Sequence, residues 1–151
     1  MEASPAGTPC GSTTCPAAGG VSSPADLAQY TMATDQLQGD LAGLLDPWQP
    51  AVLHLVAEVL HATHEAGKPA GVCGESAADP LMALVLTGLG AASLSMAPAA
   101  VLAVRFMLSR HGREQCTQIA GAALAAGTSA AARDNVLALA DPEAGGLLSL
   151  G

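Results

Sequence analysis

A chain of 151 residues fits one ordinary domain, and half of it is hydrophobic, mostly alanine, leucine and valine, with only 2% aromatic residues. The formal net charge is −8, and all five basic residues (Lys68, Arg105, Arg110, Arg113, Arg133) come after position 67. That excludes the basic footprint of a DNA- or RNA-binding protein and the polybasic run that holds an anionic membrane, and it leaves the first 67 residues without a cation for an anionic substrate.

Residues 1–24 are Gly, Pro, Ser, Thr and Ala with almost no large apolar side chain, so they are expected to be disordered or poorly structured. They lack the positive and apolar regions of a signal peptide. Cys10 and Cys15 have no second cysteine pair and no nearby histidine to complete a zinc site. A reducing, cytoplasmic setting is the expectation.

The stretch DPWQPAVLHLVAEVLHATHEAGKP, residues 46–69, reads as a helix. Pro50 suits its first turn, Val52, Leu53, Val56, Val59 and Leu60 line one face, and Gly67 and Pro69 end it. His54, Glu58, His61 and Glu65 form a stripe on another face; such residues can hold a metal, but a polar stripe opposite an apolar one is what an amphipathic helix shows to water. The expectation is a solvated face.

Next come a strand over Ala70–Cys73, a helix over Pro80–Thr87, a strand over Ala92–Met96 and a helix over Pro98–Arg110. Two further helices are expected over 113–126 and 129–140, divided by the Gly127–Ser129 turn. Pro80–Val104 carries no charge over 25 residues, long enough for a membrane span, but Gly88, Gly90, Ser93, Ser95 and Pro98 cut it into short pieces and no Trp or Tyr marks its ends. Membrane insertion is therefore not expected.

Helices alternating with short apolar strands predict an α/β fold with a parallel sheet. A closed barrel of this kind needs eight strands in about 250 residues. The pattern matches its last quarter to third, a partial TIM barrel followed by extra C-terminal helices.

Cys73 stands at the end of the first strand between Val72 and Gly74, in GKPAGVCGES. A core cysteine needs no glycines near it, whereas Gly71 and Gly74 suggest close backbone approach or unusual dihedral angles. A thiolate nucleophile calls for a nearby cation, and the flanking sequence offers Glu75 instead. A protonated thiol at a strand's C-terminal end can serve as a general acid. On these residues alone, packing and function both stay open.

GKPAGVCGESAADP, followed by LTGLGAASLSMAPAAV, resembles the C-terminal end of the phosphoenolpyruvate-utilising enzymes. Within them the match is to the Enzyme I family of the bacterial sugar phosphotransferase system, the phosphoenolpyruvate–protein phosphotransferases. ADLAQYTMATD, residues 25–35, and DPWQPAVLHLV resemble that family's preceding segments in the right order. The resemblance covers roughly residues 25–140, and residues 25–145 are taken as the C-terminal portion of the barrel domain.

The resemblance implies a transferase that passes the phosphoryl group of phosphoenolpyruvate to a histidine, then to a small phosphocarrier protein and on to sugar transport. Cys73 matches the cysteine that protonates the methylene carbon of enolpyruvate. Asp26 matches a carboxylate that binds substrate through magnesium (Mg2+), an ion suited by hard oxygen ligands. Ala25 replaces the family's asparagine and Gln36 its phosphate-binding arginine. The phosphoaccepting histidine and the earlier barrel strands have no counterpart in this sequence, so the chain alone is expected to be inactive. His54, His61, His64 and His111 match no phosphorylated motif. A homodimer is implied as well. The alternatives are a piece of pyruvate phosphate dikinase or phosphoenolpyruvate synthase, which share the Gly-x-Cys-Gly motif, and a non-catalytic, dimerising remnant.

Overall fold

The computed structural model describes residues 46–141. The expected N-terminal segment, Asp26 and its neighbours Ala25 and Gln36 lie outside the described residues, as do Cys10 and Cys15. In chain order the elements are α1 (Pro50–Glu65), β1 (Gly71–Cys73), α2 (Glu75–Ala78), α3 (Pro80–Gly88), β2 (Ser93–Ser95), α4 (Pro98–Ser109), α5 (Arg113–Leu124) and α6 (Ser129–Leu139). The fold is α/β, mostly helical, around one small parallel sheet.

Proline and glycine set the helix limits. Pro50, Pro80 and Pro98 each occupy a first helical turn, where the missing N–H costs nothing. At the far end of α1, Gly67 adopts φ 66°; its N–H bonds His64 O at 2.9 Å and that of Lys68 bonds Thr63 O at 2.9 Å. α3 ends the same way: Gly90 has φ 98°, Gly90 N reaches Thr87 O at 3.1 Å and Ala91 N reaches Leu86 O at 3.0 Å. Both are Schellman closures, in which a left-handed glycine satisfies the last carbonyls and turns the chain out of the helix. Each delivers the chain into a strand.

The two strands pair in parallel with Gly71 opposite Ser93, Val72 opposite Leu94 and Cys73 opposite Ser95. Ala92 N→Ala70 O at 2.8 Å and Gly74 N→Ser95 O at 3.1 Å extend the ladder. Because side chains alternate along a strand, Val72 and Leu94 share one face, and Gly71, Cys73, Ser93 and Ser95 share the other. Val72 is buried and Leu94 packs against the core, while both serines are exposed. The sequence ASLSM reads as a buried strand, yet β2 is covered on one face only, because no layer of the described residues covers the serine face.

The core lies under the Val72 face. It gathers Val52, Leu53, Val56 and Leu60 of α1, Leu81–Leu86 of α3, Met107 of α4, and Cys116, Ile119 and Ala123 of α5. α3 and α5 cross closely at Gly88: a Cβ there would collide with the Cys116 carbonyl oxygen and lie 2.9 Å from Ala120 Cβ. α6 closes the bundle, capped by Thr128, whose Oγ1 accepts from Ala131 N at 3.2 Å, and tied to α5 by Asn135 Nδ2→Ala122 O at 3.2 Å.

Among the described residues no helix is long and apolar enough to cross a membrane. His54, Glu58, His61 and Glu65 are all exposed, with His61 and Glu65 3.6 Å apart. No group of three or more His, Cys, Asp or Glu among the described residues is placed to hold a metal ion.

Candidate functional site

Cys73 is the last residue of β1 and Ser95 the last of β2, so they sit side by side on the C-terminal edge of the parallel sheet. Ligands of parallel α/β sheets bind outside this edge. The Cys73 thiol is free and half-buried, on the open face of the sheet.

The glycines around it have local reasons. Ser93 Oγ fills the place that a Cβ on Gly71 would take, so the bare backbone at 71 is covered by a hydroxyl from the neighbouring strand. Gly74 holds φ 101° and ψ −161°, a conformation that residues with a Cβ rarely adopt, and its N–H is pinned to the Ser95 carbonyl. The chain thereby turns sharply just after the thiol and enters the single turn of α2. Glu75 at its start is exposed, while Ser76 and Ala77 are buried.

Asp79 fixes the other end of this loop. One carboxylate oxygen accepts from Leu81 N at 2.9 Å and so caps α3. The other accepts from Trp48 Nε1 at 3.3 Å and from Arg133 Nη1 at 3.4 Å. The Arg133 guanidinium also stands 5.7 Å from the centre of the Trp48 ring. One carboxylate therefore joins the entry to α1, the start of α3 and α6. The loop carrying the thiol is held between Gly74 and Asp79.

The histidines stand apart from this edge. His54, His61 and His64 lie exposed along α1. His111 is buried, with Nδ1 2.8 Å from Met107 O and Nε2 accepting from Asp141 N at 3.0 Å. Arg110 Nη2 meets the Asp141 carboxylate at 2.9 Å. This is a clamp between the ends of α4 and α6. Cys116 is wholly enclosed in α5, and burial pushes its thiol above its ordinary range although a backbone hydrogen bond pulls the other way.

Residues 22–113 match the PEP-binding domain of the PEP-utilising enzymes, a span that contains Asp26, the whole sheet and Cys73. The chain belongs to that family. It is 53% identical over 108 residues to a protein of Streptomyces coelicolor named phosphoenolpyruvate-protein phosphotransferase, covering 72% of this chain and 19% of the relative. It is 38% identical over 104 residues to a protein of the same name from Geobacillus stearothermophilus, with 69% and 18% covered. With the Lactococcus lactis subsp. lactis protein, again of that name, identity is 34% over 116 residues, covering 77% and 20%. The chain thus spans about a fifth of the length of the curated relatives it matches.

Of the two residues singled out from the sequence, Cys73 lies at the C-terminal edge of the sheet and Asp26 is outside the described residues. Sequence reasoning missed Ser95 and the reach of Asp79. An Asp-Pro pair ahead of an apolar run signals the cap but gives no sign of Trp48 or Arg133. A serine in a strand carries no signal until its register is known.

Proposed function

We propose that this chain is the C-terminal section of a phosphoenolpyruvate–protein phosphotransferase, in which Cys73 protonates the enolpyruvate left after the phosphoryl group has moved to a histidine elsewhere in the enzyme. In that enzyme the two strands are the last strands of a TIM barrel, and residues 25–145 form its C-terminal portion. The phosphorylated histidine passes its group to a small carrier protein for sugar uptake. The observation that carries the reading is the position of a free, half-buried thiol on the last residue of a parallel strand, on the sheet's open face, within the segment that matches the PEP-binding domain.

This chain supplies the donor for the proton step. Loss of phosphorus leaves an enolate with nucleophilic character at its methylene carbon. The Cys73 S–H bond breaks as a C–H bond forms there, the carbonyl of pyruvate is made, and the negative charge comes to rest on sulfur. Water then reprotonates the thiolate. The turn at Gly74 and the anchor at Asp79 fix the two ends of the segment that follows the thiol.

Magnesium, when bound, would neutralise charge on phosphate and carboxylate. Asp26 would supply one oxygen ligand, but a single carboxylate does not make a magnesium site. Among the described residues no ligand cluster adds to it. The names of the matched relatives favour this reading over a dikinase or synthase.

The test combines this chain with the remaining, N-terminal part of a relative and follows phosphohistidine and pyruvate separately. Cys73→Ala is expected to abolish enzyme-catalysed pyruvate formation while phosphoryl transfer persists slowly, because enolpyruvate can leave and tautomerise in water. Replacing Cys116, which faces the core, is expected to leave turnover nearly unchanged. Equal losses for both cysteines would defeat the proton-donor role.

A further inference from the structure

We infer that Ser95 is a positioning residue for the Cys73 thiol, its hydroxyl donating a hydrogen bond to the sulfur as charge arrives there. The inference rests on the proposed role of Cys73 as proton donor and adds a residue to it.

Three observations bring the two side chains together. Cys73 and Ser95 are direct partners in the parallel register, and neighbouring strands lie about 4.8 Å apart. Gly74 N→Ser95 O at 3.1 Å locks the backbone of the pair just beyond the last rung. Ser93 Oγ stands over Gly71, which establishes that the β2 hydroxyls and the Cys73 side chain project from the same face. Val72 and Leu94 take the opposite, covered face. From adjacent Cβ atoms, rotation about χ1 brings Oγ within reach of Sγ.

The two serines differ in what they meet. Ser93 lies against a glycine and fills a gap, whereas Ser95 is the register partner of Cys73. Ser95 is exposed, so its hydroxyl is not consumed in the core. Transfer of the thiol proton to carbon leaves a thiolate on the sheet face, where a neutral O–H donor stabilises the sulfur without adding a cation. A hydroxyl also accepts, so before transfer it can hold the S–H in a fixed direction. No charged residue is required in the strand.

The experiment uses the full chain and needs no reconstituted enzyme. Iodoacetamide is added at neutral pH, and labelling of the Cys73 peptide is followed by mass spectrometry, which separates it from the other cysteines. Ser95→Ala is expected to slow labelling about three- to tenfold, the equivalent of one hydrogen bond to sulfur. Ser95→Thr is expected to restore the rate, and Ser93→Ala to leave it unchanged. Removing a side chain that merely shields the thiol would speed labelling, so the sign separates the two roles. A wild-type or faster rate for Ser95→Ala, or equal slowing by Ser93→Ala, overturns the assignment of Ser95 and leaves Cys73's own test untouched. Enzyme-catalysed pyruvate formation that survives Cys73→Ala, faster than enolpyruvate tautomerises in water, overturns the reaction on which it rests, whatever the labelling shows.

Discussion

α3 and α4 are two apolar helices, each opened by a proline and each adjoining a strand of the same sheet, yet their surroundings differ sharply. α3 buries six residues in succession, Leu81 to Leu86, and has α2, α4, α5 and α6 around it. α4 buries only Val104 and Met107, while Leu102 is 79% exposed and Phe106 43% exposed. A helix apolar on all sides is enclosed on all sides, and α3 meets that rule within this chain. α4 does not. The same imbalance runs through the sheet, where the Val72 face is covered and the Cys73 face is open. The enclosed half is covered by the described residues themselves, and the open half is not. The open half also holds the candidate chemistry.

The largest expected effect breaks the enclosed half. Gly88→Ala inserts a methyl group against the Cys116 carbonyl, and backbone cannot yield as a flexible side chain does. A loss of about 3 kcal/mol is expected, read as a lowered denaturation midpoint with an unchanged slope. Gly121, which has nothing within 4 Å of an added Cβ, is the control: Gly121→Ala should be neutral or slightly stabilising. Equal effects at the two glycines would contradict the close crossing of α3 and α5.

Asp79→Ala comes next. It removes the α3 cap and leaves Trp48 and Arg133 without their shared acceptor, at an expected cost of about 2 kcal/mol. The Arg133 pair is too exposed to add much of this. Trp48 is the chain's one tryptophan, so a shift in its emission would report the change directly. Unaltered stability and emission would mean that the carboxylate does not join these elements.

The open half should respond in the opposite sense. Leu102→Ser and Phe106→Ser are expected to alter folding stability by less than about 0.5 kcal/mol, because neither side chain is enclosed. They should reduce self-association, read as later elution in size-exclusion chromatography. A large loss of stability would mean that these two side chains are enclosed. The smallest effect concerns thiols: Cys116 should resist alkylation while Cys73 reacts. Burial raises the Cys116 thiol, so its contribution to stability is present at neutral pH and is lost as pH rises past the ordinary thiol range.

Much of this division was readable from residue order, and its limits are physical. Prolines at 50, 80 and 98 and glycines at 67 and 90 punctuate the chain, and they place α1, α3, α4 and both strands within a residue or two of where they lie. These signals are local. The single turn of α2 was not foreseen, since four residues carry no periodicity. The open face of β2 was missed because a small uncharged strand looks the same whether one face or both are covered. Ser95 gained meaning only from its register with Cys73. Asp79 is 31 residues from Trp48 and 54 from Arg133, and no spacing rule reaches that far. The resemblance supplied roles for Cys73 and Asp26; the close approach and unusual dihedral angles that the glycines suggested are both present, but that Ser93 approaches Gly71 and that Ser95's carbonyl holds Gly74 appears only once the neighbouring strand is placed.

The central claim is that the sheet's open face and the exposed side of α4 are completed by the preceding part of a longer enzyme. Hydrogen exchange, followed on this chain with and without the N-terminal remainder of the Streptomyces coelicolor relative, tests it most directly. Complementation predicts new protection at Gly71–Gly74, Ser93–Ser95 and Leu102–Phe106, with α3, already enclosed, changing least. Unchanged exchange along both strands and α4 at concentrations that saturate binding, or protection confined to α3, would contradict it.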